Sequence, residues 1–475
     1  MNQLIFTFLL ILGSLATISA QSQKPNILMI AVDDLRPELG CYGNELIQSP
    51  NIDKLASEGV VFKNAYCNIP VCGASRASIL TGARPTQHRF LKYYDRADEQ
   101  HLSAIYLAQH LKDNGYMTIS NGKISHKPQD HGASWDENWR PTKFGTDFRN
   151  YALPENKAIE KAGKSRGPSY EMAEVPDSGY NDGLVALKVI ADIERLKNSD
   201  QPFFLTAGFV KPHLPFNAPK KYWDLYDRSD FQPVGQLKLP ENAPEKAFHN
   251  SGELRAYAGI PKNGPVSDSL SITLQHGYYA TISYVDKLIG DILQALEEAG
   301  LRENTIVLLW GDHGWNLGDH GMWCKHCNFN TSLQTPLIIS APNMAKNATA
   351  ETLAEFIDIY PTLTDLCGLE TPETVEGKSL VPILEQPDAH HKDFIISKWK
   401  NGLTIKTEKY AYTEWYDEAD TSVAKMLYDH ESDPDEMNNL IGDVRYEALT
   451  EYLSALMKQH RGKDYFVDTS EQIGK

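Results

Sequence analysis

Four short apolar runs dominate the chain: PNILMIAV (25–32), YMTIS (116–120), PFFLTAGFV (202–210) and TIVLLW (305–310). An unbroken apolar run of this length suits a strand buried on both faces, because helices cover both sides of a parallel sheet. Helical signals lie between the runs. In SPNIDKLASEG (49–59), Ser49 can cap a helix, Pro50 suits its first position and Gly59 closes it. SAIYLAQHLKDNG (103–115) also ends at a glycine. Residues 271–299 place Tyr278, Ile282, Val285, Ile289, Ile292 and Leu296 at helical spacing before Gly300. Strands alternating with helices predict an α/β fold, with a mostly parallel central sheet flanked by helices. The stretch 127–200 is richer in charge, glycine and proline and is expected to contain long surface loops. Beyond 385 the texture changes. FIISKWK, LTIKTEKYAYTEWY and MLYDH read as short strands in hairpins, followed by a helix near 444–459. That predicts a small C-terminal α+β subdomain with an antiparallel sheet over 386–475, after a main domain over 22–385.

The carboxyl ends of the four apolar runs carry chemistry. Asp33 and Asp34 follow the first, Lys123 and His126 the second, Lys211 and His213 the third, and Asp312 and His313 the fourth; Lys325 comes farther on. In open α/β sheets this edge is where ligands bind. A single acidic residue after a strand is usually a helix cap or a turn residue, but four strand ends with the same bias define a site. Three carboxylates converging there need a cation between them. Oxygen-rich ligation favours calcium or magnesium, while His313 taken alone leaves zinc or manganese open.

Composition limits the partners. The 475 residues carry a formal net charge of −17. So acidic a chain is a poor non-specific binder of nucleic acid or of anionic membranes, and an anionic substrate would need positive charge concentrated in the site. Residues 1–20, MNQLIFTFLLILGSLATISA, read as a secretory signal peptide cut near Ala20, with no membrane anchor after it. The expected destination is periplasmic or extracellular, or a lysosome-like compartment in a eukaryote. Six cysteines are too few for a disulfide scaffold at this length. Export permits a Cys324–Cys327 disulfide, and two further ligands at zinc spacing are missing.

The segment CGASRASILTG (72–82) resembles the signature of the formylglycine-dependent (type I) sulfatases, Cys-x-(Pro/Ala)-x-Arg followed by Thr-Gly. DDLRPELGCYG, SPNIDKLASEG, TGARP, NGKISH, KPHLPF and DHGWNLGDHGMWCKHCNF are similar, in order and spacing, to the iduronate-2-sulfatase branch of that family. The resemblance spans most of 24–385, and SLVPIL and LYDHESDPDEMNNL extend it. It implies the alkaline-phosphatase-like sulfatase fold and hydrolysis of a sulfate ester on a sulfated oligo- or polysaccharide. It also implies that Cys72 is oxidised to formylglycine by a formylglycine-generating or equivalent maturation enzyme. Asp33, Asp34, Asp312 and His313, with the modified Cys72, would hold one calcium ion. Arg76 would orient Cys72, and Lys123 and Lys325 would bind sulfate oxygens. His126 would take the proton from the second hydroxyl of the formylglycine hydrate, and His213 would protonate the departing sugar oxygen.

The residue types suit that chemistry. A serine would be left as a stable sulfate ester, whereas an aldehyde hydrate has one hydroxyl to attack sulfur and a second whose collapse releases sulfate. Gly73 and Ala74 leave room at the nucleophile, and a helix starting there would point free N–H groups at the anion. Trp315 and Trp323 read equally as core aromatics or as a wall for a sugar ring, and His88 and His326 are further candidate substrate contacts. Two other functions compete: a phosphodiesterase or phosphonate hydrolase of the same superfamily, and a non-catalytic binder of sulfated glycans. A binder would have no use for Cys72.

Overall fold

Strand β1 (Asn26–Val32) lies at the middle of the molecule, with all seven residues buried. The structure is a computed structural model that describes residues 24–141, 148–234, 239–419 and 421–461. The expected signal peptide lies outside the described residues. β1 belongs to an eight-stranded sheet with β2 (Val60–Tyr66), β3 (Met117–Gly122), β4 (Glu137–Trp139), β5 (Phe203–Phe209), β6 (Thr305–Gly311), β7 (Leu337–Ser340) and β8 (Ala348–Glu355). Their order is β8-β2-β7-β6-β1-β5-β3-β4. β7 runs antiparallel to both its neighbours, and every other pair is parallel. In register, Ile30 faces Ala207 on one side and Leu309 on the other.

The two-residue period of a strand divides β1 between two cores. Leu28, Ile30 and Val32 pack with Val185 and Val189 of the helix Asn181–Leu196 and with Ile282, Val285 and Ile289 of the helix Asp268–Glu298. Ile27, Met29 and Ala31 pack with Ala74 and Ala77 of the helix Cys72–Thr81 and with Leu107 and Leu111 of Leu107–Asp113. Each large side chain so buried contributes about 1.5–3 kcal/mol relative to exposure. This explains why the strand is apolar from Ile27 to Val32, and its one polar residue, Asn26 at the start, accepts from Phe203 N.

Four further strands form an antiparallel meander: β9 (Phe394–Trp399), β10 (Gly402–Thr407), β11 (Tyr410–Tyr416) and β12 (Ser422–Asp429). Leu453 and Met457 of the helix Glu447–His460 cover one face, over Ile396, Ile405, Tyr412 and Leu427. On the other face Trp415, Met426 and Tyr428 pack against Met322, Cys327 and Phe329, in the loop that carries Lys325.

Two expectations need correction, and one helix lies where only loops were expected. Besides its loops, the stretch 127–200 carries the helix Asn181–Leu196, with Val185, Val189, Ile193 and Leu196 buried along one side. Its charges misled because two of them point inward. Asp182 accepts from the backbone N–H groups of Val210 and Lys211, and Asp192 accepts from Asn121. Ser49 does not cap the helix Pro50–Ser57. The Asp286 carboxylate, from the long helix, accepts from Asn51 N at 3.0 Å and Ile52 N at 2.7 Å, so the cap comes from 235 residues away. Cys324 and Cys327 are both free thiols, and Cys327 Sγ lies 3.0 Å from Ser332 Oγ.

Candidate active site

The carboxyl edges of β1, β3, β5 and β6 deliver their titratable residues to one place. Asp33 and Asp34 leave β1, Asp312 and His313 leave β6, and Cys72 opens the helix Cys72–Thr81. All ten residues of that helix are buried, so it is a core helix whose first turn faces the cluster. Ligand atoms of Asp33, Cys72, Asp312 and His313 lie within 4.8 Å of one another. His313 Nε2 is 3.2 Å from Cys72 Sγ, 3.5 Å from Asp34 Oδ1 and 3.6 Å from Asp312 Oδ1. Asp34 N donates to Asp312 Oδ1 at 3.1 Å, and Ser75 Oγ donates to Asp312 O at 2.6 Å. Gly73 is required for a reason other than room for substrate: a Cβ there would sit 2.0 Å from the Tyr93 carbonyl oxygen.

Three cations surround these carboxylates. Arg76, fully buried, donates from Nε to Asp312 Oδ2 at 2.8 Å and from Nη2 to Asp33 Oδ1 at 3.3 Å. Its Nη1 donates to the carbonyls of Lys123 and Ile124. Arg76 therefore acts on the Cys72 surroundings through two carboxylates. Lys123 donates to Asp33. Lys325 Nζ donates to Asp34 Oδ1 at 3.0 Å and Oδ2 at 3.2 Å, and sits 4.9 Å above the Trp315 ring. Burial opposes the charge on Asp33, yet Lys123 and Arg76 overcome it and hold its carboxyl well below the usual range. Burial pushes the Asp34 carboxyl well above that range despite Lys325, with Asp33 and Cys72 adding to the shift. The Cys72 thiol is pushed up to about 12 by burial and by Asp33.

The remaining side chains form the other wall. Asp182 and the buried Lys211 pin the loop after β5: Lys211 Nζ donates to His213 O at 2.9 Å and Pro215 O at 2.7 Å. His213 Nδ1 donates to Leu214 O at 2.6 Å, and Nε2 lies 3.0 Å from Glu253 Oε1 and 3.9 Å from Asp34 Oδ2. Burial and then Lys325 push the His213 imidazole down. His126 is half-buried, its ring edge-on to Tyr93 at 5.7 Å, and burial followed by Lys123 pushes it down to about 2. Glu253, on the short helix Gly252–Arg255, has no motif around it to single it out in the sequence.

The candidate substrate contacts divide. Trp315 is fully buried beneath Lys325 and presents no face to a sugar, which removes it as an exposed wall. Trp323 is buried as well. His326 is half-buried and stacks on Trp399 of β9, 4.9 Å between centroids and 19° between planes. His88 is exposed on a loop, where its backbone N–H donates to Thr86 Oγ1 at 3.2 Å.

The donor set fits a hard divalent cation. Three buried carboxylates stand beside an imidazole and residue 72, and the raised Asp34 carboxyl marks a place where added positive charge would be repaid. Fold and site together define an alkaline-phosphatase-like ester hydrolase. Within that class the sulfatase family profile matches residues 25–369, so the chain belongs to the sulfatase family and is a sulfate ester hydrolase. A second profile, described as N-sulphoglucosamine sulphohydrolase, C-terminal, matches 318–463. Iduronate 2-sulfatase of Mus musculus is 30% identical, over 94% of this chain and 96% of its own length. Among solved structures, the phosphonate monoester hydrolase of Silicibacter pomeroyi superposes with a TM-score of 0.74 at 22% identity, covering 93% of this chain and 96% of its own. A 2-O GAG sulfatase superposes with a TM-score of 0.69 at 23% identity, covering 94% and 96%. These two likenesses speak to the fold alone.

Proposed function

We propose that this sulfatase removes sulfate from a sulfated saccharide, using formylglycine made from Cys72 and one calcium ion. The observation that carries the reading is the position of Cys72. It opens a buried helix, 3.2 Å from His313 Nε2, among three carboxylates that Arg76, Lys123 and Lys325 offset. Asp33, Asp34, Asp312, His313 and residue 72 would hold the ion. When bound, calcium supplies Lewis acidity toward a sulfate oxygen and toward the attacking hydroxyl. Formylglycine supplies a nucleophile whose hydrate carries a second hydroxyl.

The chain's own residues do the rest. Lys123 and Lys325 approach from opposite carboxylates, Asp33 and Asp34, and offset the charge that builds on the sulfate oxygens. His126, kept neutral by its surroundings, takes a proton from residue 72. His213, fixed at Nδ1 by Leu214 O, presents Nε2 to the departing sugar oxygen. The name of a relative 30% identical over most of the chain, iduronate 2-sulfatase, favours a saccharide as the leaving group. Residues 1–20 would direct export to a periplasmic, extracellular or lysosome-like compartment, with a formylglycine-generating or equivalent enzyme as the maturation partner.

The phosphonate monoester hydrolase shares this fold, so fold alone leaves a second reading, hydrolysis of phosphodiesters or phosphonates at the same centre. Rates on defined sulfated oligosaccharides and on an aryl phosphodiester, before and after treatment with a chelator, separate the two. We expect faster turnover of the sulfate esters and loss of that turnover on chelation. Faster phosphodiester turnover would overturn the substrate class, and full activity in metal-free protein would overturn the metal.

A further inference from the structure

Two aromatic rings stand out into solvent at the edge of the cleft. Tyr93 is 57% exposed and Tyr94 46%, and they meet edge to face with centroids 5.1 Å apart. Single exposed aromatics are ordinary on a protein surface. This pair is joined to the site. The Tyr93 carbonyl packs against Gly73, the neighbour of Cys72, so closely that a Cβ on residue 73 would sit 2.0 Å from its oxygen. The Tyr93 ring lies edge-on to His126 at 5.7 Å. The turn that carries the rings is also held firmly. Buried Asp95 accepts from Leu91 N at 2.6 Å and Lys92 N at 2.8 Å, and Phe90 is fully buried just before them. Lys92 Nζ stands 5.4 Å from the centre of the Tyr94 ring and meets no carboxylate among the described residues.

The chemistry of these groups selects an occupant. A pyranose ring has apolar C–H faces and a rim of hydroxyls. A tyrosine answers both, with a flat apolar body and a polar tip, and loses little side-chain freedom on binding. Because the turn is already fixed, the cost of ordering it is not charged against binding. Charge narrows the choice further. A chain of net charge −17 repels a polyanion unless a cation stands where the polyanion lies, and Lys92 places one beside the rings.

We propose that Tyr93 and Tyr94 form a second sugar subsite. The sugar next to the sulfated one in an oligosaccharide stacks on this pair, and a sulfate or carboxylate on that sugar meets Lys92. This deepens the saccharide reading given above and rests on it.

The test uses the full chain, with rates normalised to the fraction of residue 72 converted to formylglycine, read by peptide mass. From a panel of defined sulfated oligosaccharides, the one that wild-type protein turns over fastest is compared with the monosaccharide that carries the same reacting ester. The readout is the ratio of kcat/KM for the two. In wild-type protein the oligosaccharide should lead by about tenfold or more, because the second sugar adds binding energy away from the reacting bond. Tyr94→Ala should lower the ratio by about threefold to tenfold, the scale of one aromatic stack, chiefly through KM. Tyr94→Phe should keep most of it, since the ring remains. Lys92→Gln should lower it by about threefold in dilute buffer, and the loss should shrink in about 0.5 M salt, where an exposed charge is screened. A wild-type ratio near one, or a ratio unchanged in Tyr94→Ala, would overturn the subsite. A ratio unchanged only in Lys92→Gln would overturn the anionic group on the second sugar. An unchanged ratio together with a lower converted fraction would assign the rings to the maturation enzyme instead. If wild-type protein turns over no saccharide in the panel, the saccharide reading itself has failed, and that result precedes any variant.

Discussion

The two walls of the cleft are built differently. On the nucleophile side, Asp33, Asp34, Asp312 and His313 stand within two residues of a strand end, and Cys72 is the first residue of a buried helix. That wall inherits its geometry from the sheet, and Arg76 ties β1, β6 and the segment after β3 together with one guanidinium. On the opposite side, Glu253 comes from a four-residue helix, Lys325 and His326 from the loop after β6, and Trp399 from the end of β9 in the C-terminal meander. Loops supply these positions, and packing against other loops holds them. The difference teaches where each property resides. On the proposed roles, the sheet edge would supply the nucleophile and most of the charge that any sulfate ester meets, with Lys325 added from a loop, and the loops would supply the surroundings of the departing alcohol.

The largest effect should fall on the sheet-edge wall. Cys72→Ser keeps a similar volume and should fold, but turnover of every sulfate ester should fall by roughly ten-thousandfold or more, the scale of a lost nucleophile. Mass measurement of the peptide containing residue 72 in active wild-type protein is the companion check. Fully active protein with only an unmodified thiol there would remove the special standing of this wall.

An intermediate, selective effect is expected across the cleft. His213→Ala should slow saccharide sulfates by about a hundredfold, the usual scale for a lost general acid, and should spare much of the activity on an activated aryl sulfate. Lys123→Ala should slow both, because both need the sulfate charge offset. If His213→Ala slows the two substrates equally, the division between walls is drawn in the wrong place.

The smallest effect belongs farthest from sulfur. Trp399 meets the site through its stack on His326. Trp399→Ala should raise KM for sulfated oligosaccharides by about twofold to tenfold, in line with the 0.5–1.5 kcal/mol of such a stack, with kcat little changed. A loss confined to kcat would place Trp399 with the reacting groups instead of the sugar contacts.

Sequence alone determined the sheet and its active edge. An apolar run such as ILMIAV admits one environment, buried on both faces, and whatever follows it must emerge at the edge of that layer. The mostly parallel sheet and the gathering of Asp33, Asp34, Asp312 and His313 at its edge were legible for that reason, the hairpins of β9–β12 were legible in their short strand runs, and Cys72 joined the cluster only through its resemblance to a family signature, whereas the strand order was not legible. The helix Asn181–Leu196 was legible only in its apolar spacing, because Asp182 and Asp192 look like surface charge until their partners are known. Tertiary structure alone decided contacts between residues far apart in the chain. No local pattern says that Asp286 caps a helix at Asn51, that Trp315 turns beneath Lys325, or that Glu253 reaches both His213 and Lys325. Burial and periodicity are properties of a segment and are written in it. Which carboxylate meets which cation is a property of how segments pack, and it exists only once the loops have closed over the sheet.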